Sequence, residues 1–138
     1  MAELIVAADL VKRGYRVAFP FGEDCDWDLL FWEPGERKLE RVQVKYATSD
    51  GRGVLVRARS HSLTNGRVRE TKRYTSETID WIGVYDATTD QIFYLPAWEL
   101  GDGMNEVTLR LVPARNNQRA RIRMADDYRV PTIRPTGL

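Results

Sequence analysis

Apolar residues recur along the chain at spacings typical of helices and strands. Apolar side chains three or four residues apart predict a helix over residues 2–13, and Gly14 directly after it is a typical helix stop. Alternating or continuous apolar runs, bounded by turn residues, predict a series of strands. These predicted strands cover residues 15–19, 28–32, 39–46, 54–59, 81–86, 91–95 and 107–112.

The remaining segments have weaker patterns. Residues 60–75 are polar, basic and short of large apolar side chains, so we predict a mobile loop there. Residues 96–100 predict a short helix that begins at a proline, and residues 116–128 are weakly helical. A helix, then strands, then small helical pieces predict an α/β (α+β) domain with a central mixed sheet. We expect one domain over residues 1–130 and a C-terminal tail over residues 131–138.

The composition is that of an ordinary globular protein. Of the 138 residues, 43% are hydrophobic and 10% are aromatic, which excludes a disordered chain. No apolar run approaches the ~20 residues that a membrane span needs, and no signal peptide opens the chain. The single cysteine, Cys25, excludes an internal disulfide and is compatible with a reducing compartment. We therefore expect a cytoplasmic protein with no membrane partner.

The net charge of +1 hides an uneven distribution of charged residues. Residues 23–40 carry seven acidic side chains against two basic ones, whereas residues 52–73 carry seven basic side chains against one acidic one. Residues 110–123 add five arginines and no acid. Arginine outnumbers lysine 17 to 4, which favours bidentate phosphate contacts. An acidic patch beside basic segments is typical of a metalloenzyme that binds a polyanion, but the solvated surface of an arginine-rich protein explains the same pattern.

The second and third predicted strands bring three polar side chains together. A hairpin that is symmetric about the point between Gly35 and Glu36 places Asp28 directly opposite Gln43. Lys45 lies two residues beyond Gln43, so it points to the same face about 7 Å further along. A shift of the register by one residue would separate all three groups.

The alternate positions of the returning strand, Val42, Val44 and Tyr46, are expected to point to the buried side. An aspartate oxygen, an amide oxygen and a strand carbonyl are hard ligands that suit Mg²⁺. A nearby lysine can orient or deprotonate a water molecule, or stabilise charge on a phosphate. An exposed amphipathic hairpin with a polar face explains the same spacing without any metal.

This motif resembles the PD-(D/E)XK nuclease superfamily, with aspartate opening one strand and Gln-Val-Lys on the next. The likeness is closest to the branch with glutamine at the usual acidic position, which includes group I intron homing endonucleases and small prokaryotic relatives. One departure is that Trp27 precedes Asp28, where the family motif has a proline beside the acid. Further segments resemble the opening helix, the later strands and a stretch near the end of such proteins. These segments are residues 3–15, 79–85, 92–96 and 116–123.

The resemblance implies a restriction-endonuclease-like core, with a central mixed sheet flanked by helices, and a DNA endonuclease that needs Mg²⁺ or Mn²⁺. It implies Asp28 as the main metal ligand and Gln43 in place of the usual acid, with the Val44 carbonyl as a further metal ligand. Lys45 corresponds to the catalytic lysine, and Glu3 on the helix completes the site.

Two acidic residues have alternative interpretations. On a helix Glu3, Ala7 and Leu10 share a face, so Glu3 can point towards the sheet. A solvated glutamate that is favoured by the helix dipole is the alternative. Asp26 has the same strand parity as Asp28 and is its nearest competitor. We interpret Asp26 as a loop residue or as a group that supports the metal ligands.

The basic segments are the candidate DNA contacts. His61 is the only histidine, which excludes a catalytic triad and a histidine metal cage. The four tryptophans are interpreted as core residues rather than as stacking platforms. The predicted DNA-binding residues are Arg57, Arg59, His61, Arg67, Arg69, Lys72, Arg73, Arg115, Asn117, Gln118, Arg119, Arg121 and Arg123.

Three functions remain open from the sequence. The first is a homing-type endonuclease that acts on double-stranded DNA, and the second is a Holliday-junction resolvase that acts on branched DNA. The third is a DNA-binding module that has the fold but does not cut. One active site cuts one strand, so a double-strand cutter or a resolvase is expected to be a homodimer or homotetramer.

Overall fold

The computed structural model describes residues 1–22, 24–64, 67–73, 75–101, 105–113 and 122–131, and only the main chain of residues 59–64 and 67–73. Within these residues the chain forms one α-helix, α1 (Ala2–Lys12), ten strands and two short 3₁₀ helices, Ala97–Glu99 and Ala125–Tyr128. The strands are β1 (Arg16–Ala18), β2 (Leu29–Trp32), β3 (Glu40–Ala47), β4 (Gly53–Arg57), β5 (Arg59–Thr64), β6 (Arg67–Arg73), β7 (Trp81–Asp86), β8 (Gln91–Pro96), β9 (Glu106–Arg110) and β10 (Arg123–Met124).

The central sheet is mixed, as the sequence predicted. Its five strands lie in the order β1-β2-β3-β7-β8, and β3 and β7 run parallel while the other neighbours are antiparallel. A three-stranded sheet has the order β10-β9-β4, and β5 pairs with β6 in a separate hairpin. The crossing from β3 to its parallel neighbour β7 thus contains β4, β5 and β6.

Helix α1 ends where the sequence predicted. Gly14 has a φ of +97°, a conformation that glycine adopts without strain. The N–H of Gly14 donates to the Val11 carbonyl at 3.0 Å, and the N–H of Tyr15 donates to the Leu10 carbonyl at 3.1 Å. These two bonds form a Schellman motif, which satisfies the last carbonyls of the helix and turns the chain towards β1.

The central sheet has an apolar core on each face. On one face α1 buries Val6 and Leu10 against residues that include Val42 and Trp81. On the other face, inward side chains of β4 and β9 pack on β7 and β8 around Ile82. In the described residues the sheet is therefore covered by a helix on one side and by a smaller sheet on the other. None of the described helices is long and apolar enough to cross a membrane.

A glycine in β7 lets α1 lie close to the sheet. A Cβ atom on Gly83 would lie 3.2 Å from a methyl group of Val6 and 3.2 Å from a methyl group of Val42. These distances are shorter than ordinary contacts between carbon atoms. The position of α1, which carries Glu3, thus depends on the missing side chain at position 83.

The β2–β3 hairpin has the predicted register. Leu30 is the partner of Arg41, and Leu29 is the partner of Val42. The turn before β3 carries Gly35 with a φ of +89° and a 3.0 Å bond between the Glu36 N–H and the Glu33 carbonyl, as in a type II turn.

Four expectations were wrong. The four tryptophans were predicted to be core residues, but Trp98 is 41% exposed. Residues 60–75 were predicted to be a loop, but β5 and β6 pair there as a hairpin. Tyr46 was predicted to be buried, but it is 63% exposed, because α1 covers only part of the sheet face. The predicted helix over residues 116–128 contains the strand β10 and one short 3₁₀ helix, and its first part lies outside the described residues, as does most of the predicted tail.

Candidate active site

Asp28 lies immediately before β2 and is fixed to β3 by two hydrogen bonds. Its main-chain N–H donates to the Val42 carbonyl oxygen at 2.8 Å. Its side-chain Oδ2 accepts a 2.8 Å hydrogen bond from the main-chain N–H of Val44. The Asp28 side chain thus takes the place of a main-chain carbonyl as the acceptor for the Val44 N–H, just before β2 begins. Because the bond to Val44 holds one oxygen, it also fixes the direction of the second oxygen.

The Val44 carbonyl points towards the same edge of β3. In a β-strand the N–H and the C=O of one residue point to the same neighbouring strand. The N–H of Val44 points to Asp28, so its carbonyl points to the edge where β2 begins and away from β7. A main-chain oxygen and the Asp28 carboxylate are therefore presented together.

Gln43 and Lys45 lie on the face of β3 opposite α1. Val42 and Val44 are buried in the core beneath α1, and side chains alternate along a strand. The side chains of Gln43 and Lys45 therefore extend from the other face, where both residues are half-buried. The β2–β3 ladder ends at the pair of Leu29 and Val42, and the Asp28 N–H just before it donates to the Val42 carbonyl, so the predicted pairing of Asp28 with Gln43 lies beyond the ladder and stays a prediction.

Glu3 lies at the N-terminal end of the buried face of α1. Ala7 and Leu10 follow it at helical spacing and are buried, so the predicted shared face is present. Glu3 itself is partly exposed, and its Oε2 accepts a 3.2 Å hydrogen bond from the Met1 amino group. A main-chain hydrogen bond is the largest cause that lowers the pKa of the Glu3 carboxyl, which favours the carboxylate.

The surroundings raise the pKa of the Asp28 carboxyl above its ordinary value. Desolvation by burial is the largest cause, and the hydrogen bond from the Val44 N–H acts in the opposite direction. The charge of Glu3 raises this pKa, whereas the charge of Lys45 lowers it. Glu3 and Lys45 are therefore close enough to Asp28 for their charges to act on it, although one lies on the helix and the other on the sheet.

The donor atoms at this site suit a hard divalent cation. The ionised form of Asp28 is disfavoured by burial and by a neighbouring carboxylate, and a cation beside both carboxylates would stabilise it. Carboxylate, amide and carbonyl oxygens are the ligands that Mg²⁺ takes in proteins. In the described part of the chain, no three His, Cys, Asp or Glu side chains lie close enough together to hold one metal ion. A cation here would therefore need the Gln43 amide and the Val44 carbonyl beside the two acids.

An ion pair next to Gln43 was missed by the sequence analysis. Arg41 Nε donates to Asp80 Oδ2 at 3.0 Å, and the main-chain N–H of Arg41 donates to the same oxygen at 2.8 Å. The guanidinium also donates to the carbonyl oxygens of Glu77 at 2.8 Å and Ser76 at 3.1 Å. Arg41 thus attaches the segment before β7 to the strand that carries Gln43. The strand parity that Arg41 shares with Gln43 indicates the face on which Arg41 lies, but no local pattern indicates Asp80 as its partner.

Asp26, the competitor of Asp28, is exposed. Its charge acts on Arg41, where it is the smallest of the causes that raise the pKa of that guanidinium. Asp26 therefore lies on the Arg41 side of the hairpin.

The predicted DNA contacts divide into three groups. Arg57 is exposed at the end of β4, and six others lie along the β5–β6 hairpin, where the register pairs Arg59 with Arg73 and Ser60 with Lys72. Arg123 is bound by Glu99, with 3.3 Å between Nε and Oε1, so its charge is partly compensated. Arg115, Asn117, Gln118, Arg119 and Arg121 lie outside the described residues.

Comparison with known proteins agrees with this core. The family model described as PD-(D/E)XK endonuclease matches residues 1–131. The structure of a bacterial homing endonuclease is similar to this chain, with a TM-score of 0.69 and 24% sequence identity over 93% of this chain and 83% of that chain. At this identity the likeness establishes a shared fold. No curated protein matches the chain. Because the family model spans nearly all of the sequence, the protein belongs to the PD-(D/E)XK endonuclease family.

Proposed function

We propose that this protein is a divalent-metal-dependent DNA endonuclease that hydrolyses phosphodiester bonds. The observation that carries the proposal is the fixed carboxylate of Asp28, which is oriented by the Val44 N–H and lies within electrostatic reach of Glu3 and Lys45. An oriented carboxylate with a second acid and a lysine near it are groups that metal-assisted phosphodiester hydrolysis uses.

Mg²⁺ or Mn²⁺ is the cation that these donors would hold. Asp28 would be its main ligand, and the Gln43 amide, the Val44 carbonyl and Glu3 would complete the set. When bound, the cation lowers the pKa of a water molecule and neutralises charge on the phosphate. Because Gln43 contributes no charge, the affinity of the site depends on Glu3 more than it would with a third acid.

Lys45 acts on the substrate rather than on the fold. Its ammonium group donates hydrogen bonds and carries a positive charge on the same face as Asp28 and Gln43. It orients the attacking water and stabilises the negative charge that develops on the phosphate oxygens. Removal of the ammonium group therefore lowers the rate of cleavage without removing a metal ligand.

DNA is the proposed substrate because the similar solved structure is that of a homing endonuclease and because basic residues follow the site along the chain. Arg57 and the β5–β6 hairpin, with the basic segment near residue 119, are the proposed backbone contacts. Cleavage of both strands needs two active sites, so we propose a homodimer or a homotetramer.

The test is cleavage of supercoiled plasmid, linear duplex and synthetic four-way junctions, each with Mg²⁺, Mn²⁺ or EDTA. We expect cleavage by the wild type that EDTA abolishes. Lys45→Ala is expected to lose cleavage while it keeps the melting temperature of the wild type. Lys12→Ala, which changes an exposed lysine on α1, is the matched control and is expected to cut normally.

The products separate the possible roles. Cleavage at a duplex site supports a homing-type enzyme, and symmetric nicks in the junction support a structure-specific resolvase. Binding of DNA without cleavage under any divalent metal would contradict the proposed activity and would leave a DNA-binding module. Full activity of Lys45→Ala would contradict the proposed site.

A further inference from the structure

An open cleft of about 630 Å³ lies on the three-stranded sheet, away from the candidate active site. It is lined by Arg52, Gly53, Thr108 and Arg110, with Asp50 and the residues that follow β9 at its rim. Its volume lies within the range of ligand sites in proteins. The family motif includes no residue of this cleft, and the two arginines of the cleft belong to the basic segments but are not among the individually predicted DNA contacts.

Two arginines line the cleft where β4 begins. Arg110 of β9 is the register partner of Gly53 of β4. Arg52 precedes β4, and its carbonyl oxygen accepts a 2.8 Å hydrogen bond from the Leu111 N–H. Because neighbouring residues of a strand point to opposite faces, Arg52 reaches the cleft from the end of β4, whereas Arg110 reaches it from the face of β9.

Neither guanidinium takes part in an ion pair among the described side chains. The ion pairs of the described arginines belong to Arg13, Arg41, Arg123 and Arg129. Arg110 Nε makes a long bond of 3.4 Å to the Val112 carbonyl oxygen, which orients its guanidinium along the rim. Two such planar groups can bind one phosphate through several parallel hydrogen bonds.

Asp50 does not cancel both charges. Its Oδ1 accepts main-chain hydrogen bonds from Arg52 at 2.8 Å and from Gly53 at 3.2 Å, so the carboxylate is turned towards its own loop. These bonds lower the pKa of Asp50, and the group is ionised at neutral pH. The lining therefore keeps a net charge of one positive unit, and an anion is the complementary ligand.

The floor of the cleft depends on a glycine. A Cβ atom on Gly53 would lie 3.2 Å from the Thr108 side-chain methyl. Glycine within a strand often marks a position where a ligand or another main chain approaches closely. Here it leaves the main chain and the exposed Thr108 hydroxyl accessible to a bound group.

We propose that the cleft between Arg52 and Arg110 binds one phosphate group, over the floor formed by Gly53 and Thr108. A phosphodiester of the DNA backbone outside the cutting site and a free phosphate or pyrophosphate share this chemistry. The DNA form of the proposal rests on the proposed endonuclease function, whereas binding of free phosphate does not.

The experiment measures binding and not cleavage. Fluorescence anisotropy with a labelled duplex in EDTA gives the Kd at several salt concentrations, and calorimetric titration with inorganic pyrophosphate gives the second measurement. The variants are Arg52→Ala/Arg110→Ala, which removes both guanidiniums, and Gly53→Val, which fills the floor but keeps both charges. Arg37→Ala, which changes an exposed arginine in the β2–β3 turn, is the control for loss of one positive charge outside the cleft.

We expect the double variant to bind duplex roughly tenfold more weakly than the Arg37→Ala control. The slope of log Kd against log salt concentration is expected to fall by about 0.9, as for the loss of one phosphate contact. Gly53→Val is expected to lose affinity similarly, and its melting temperature checks that it is folded.

Each outcome has one meaning. Weaker duplex binding by both variants supports the DNA backbone as the ligand. Loss of pyrophosphate binding alone supports a free phosphate ligand. Duplex and pyrophosphate binding that match the Arg37→Ala control in the double variant would overturn the proposal. Because cleavage is measured separately, a protein that binds here but never cuts would contradict the endonuclease function and not the cleft.

Discussion

The main-chain N–H of Val44 and Oδ2 of Asp28 are joined by a 2.8 Å hydrogen bond that connects the apolar core to the candidate active site. The side chain of Val44 is buried in the core beneath α1, the helix that carries Glu3. The packing of α1 on β3 therefore sets the position of Glu3 and the main-chain atoms that orient Asp28. The packing of the core beneath α1 and the orientation of the Asp28 carboxylate therefore both depend on the position of Val44.

Asp28→Asn tests the charge of this carboxylate separately from its geometry. The amide oxygen can still accept the hydrogen bond from Val44, so the strand end is expected to keep its structure. Loss of a residue that supports a metal ligand lowers metal affinity or activity about 10- to 100-fold. Loss of the main ligand is therefore expected to reduce the rate of cleavage by at least about 100-fold. The measurement is the single-turnover rate at saturating Mg²⁺.

The stability of the same variant provides the control. Burial and Glu3 disfavour the ionised form of Asp28, so the neutral asparagine is expected to keep or raise the melting temperature in EDTA. A lower melting temperature would mean that the carboxylate stabilises the fold without metal, contrary to the proposed role.

The pH dependence of metal binding follows from the raised pKa of Asp28. In the metal-free protein, folding favours the protonated form of Asp28. The contribution of Asp28 to the free energy of unfolding is therefore complete at pH values below its pKa in the unfolded chain. This contribution is lost as the pH rises through the pKa of Asp28 in the folded protein. A divalent cation binds the ionised form and adds stability above that pKa. We therefore expect the rise in melting temperature with Mn²⁺ to grow as the pH increases from about 4, the ordinary pKa of an aspartate, to neutral pH.

Thermal melts of the wild type and Asp28→Asn, each with Mn²⁺ and with EDTA, measure this dependence. The variant is expected to show little metal stabilisation at any pH. An equal effect of Mn²⁺ on the wild type at both ends of the range would exclude Asp28 as a ligand.

The β2–β3 hairpin could be predicted because its determinants are local. Turn residues at Pro34 and Gly35 and the alternation that follows them fix the register in which Leu30 is the partner of Arg41. The exposure of Tyr46 could not be predicted, since alternation tells which face a residue is on but not how far the helix covers that face.

Two other features depend on contacts between distant parts of the chain. Arg41 and Asp80 meet because β3 and β7 run parallel, and no local pattern relates residues 39 positions apart. The β5–β6 hairpin forms a two-stranded sheet of its own. Its strands therefore need no alternation of apolar and polar residues, which is the pattern from which strands are predicted.

Gln43→Glu tests whether the amide limits metal affinity. Glutamate has nearly the same shape, and it would add a third negative charge on the face shared by Asp28 and Lys45. Affinity for hard cations rises with the number of charged ligands, so the Mn²⁺ concentration for half-maximal stabilisation is expected to fall roughly tenfold. The measurement is calorimetric titration of the metal-free protein.

The metal-free form of this variant is the internal check. A third carboxylate adds repulsion, so its melting temperature in EDTA is expected to be lower than that of the wild type. Unchanged Mn²⁺ affinity together with unchanged stability would mean that residue 43 points away from the metal site.

Tyr94→Phe tests whether the position of α1 controls the site from a distance. The buried Tyr94 hydroxyl donates a 2.6 Å hydrogen bond to Asp9 on α1, which also accepts from Arg13 Nε at 2.9 Å. Loss of the hydroxyl is expected to lower the free energy of unfolding by about 1 kcal/mol. Because α1 also carries Glu3, cleavage is expected to need more Mg²⁺ while kcat at saturating metal is unchanged.

Tyr128→Phe is the matched variant. Its hydroxyl donates an equally short 2.6 Å bond to Glu99, which does not belong to α1, and its ring packs on the opposite core. A similar loss of stability is expected, without any change in the Mg²⁺ concentration needed for half-maximal rate. If both variants raise that concentration equally, the effect comes from general destabilisation; if only Tyr94→Phe does so, the helix transmits it through Glu3.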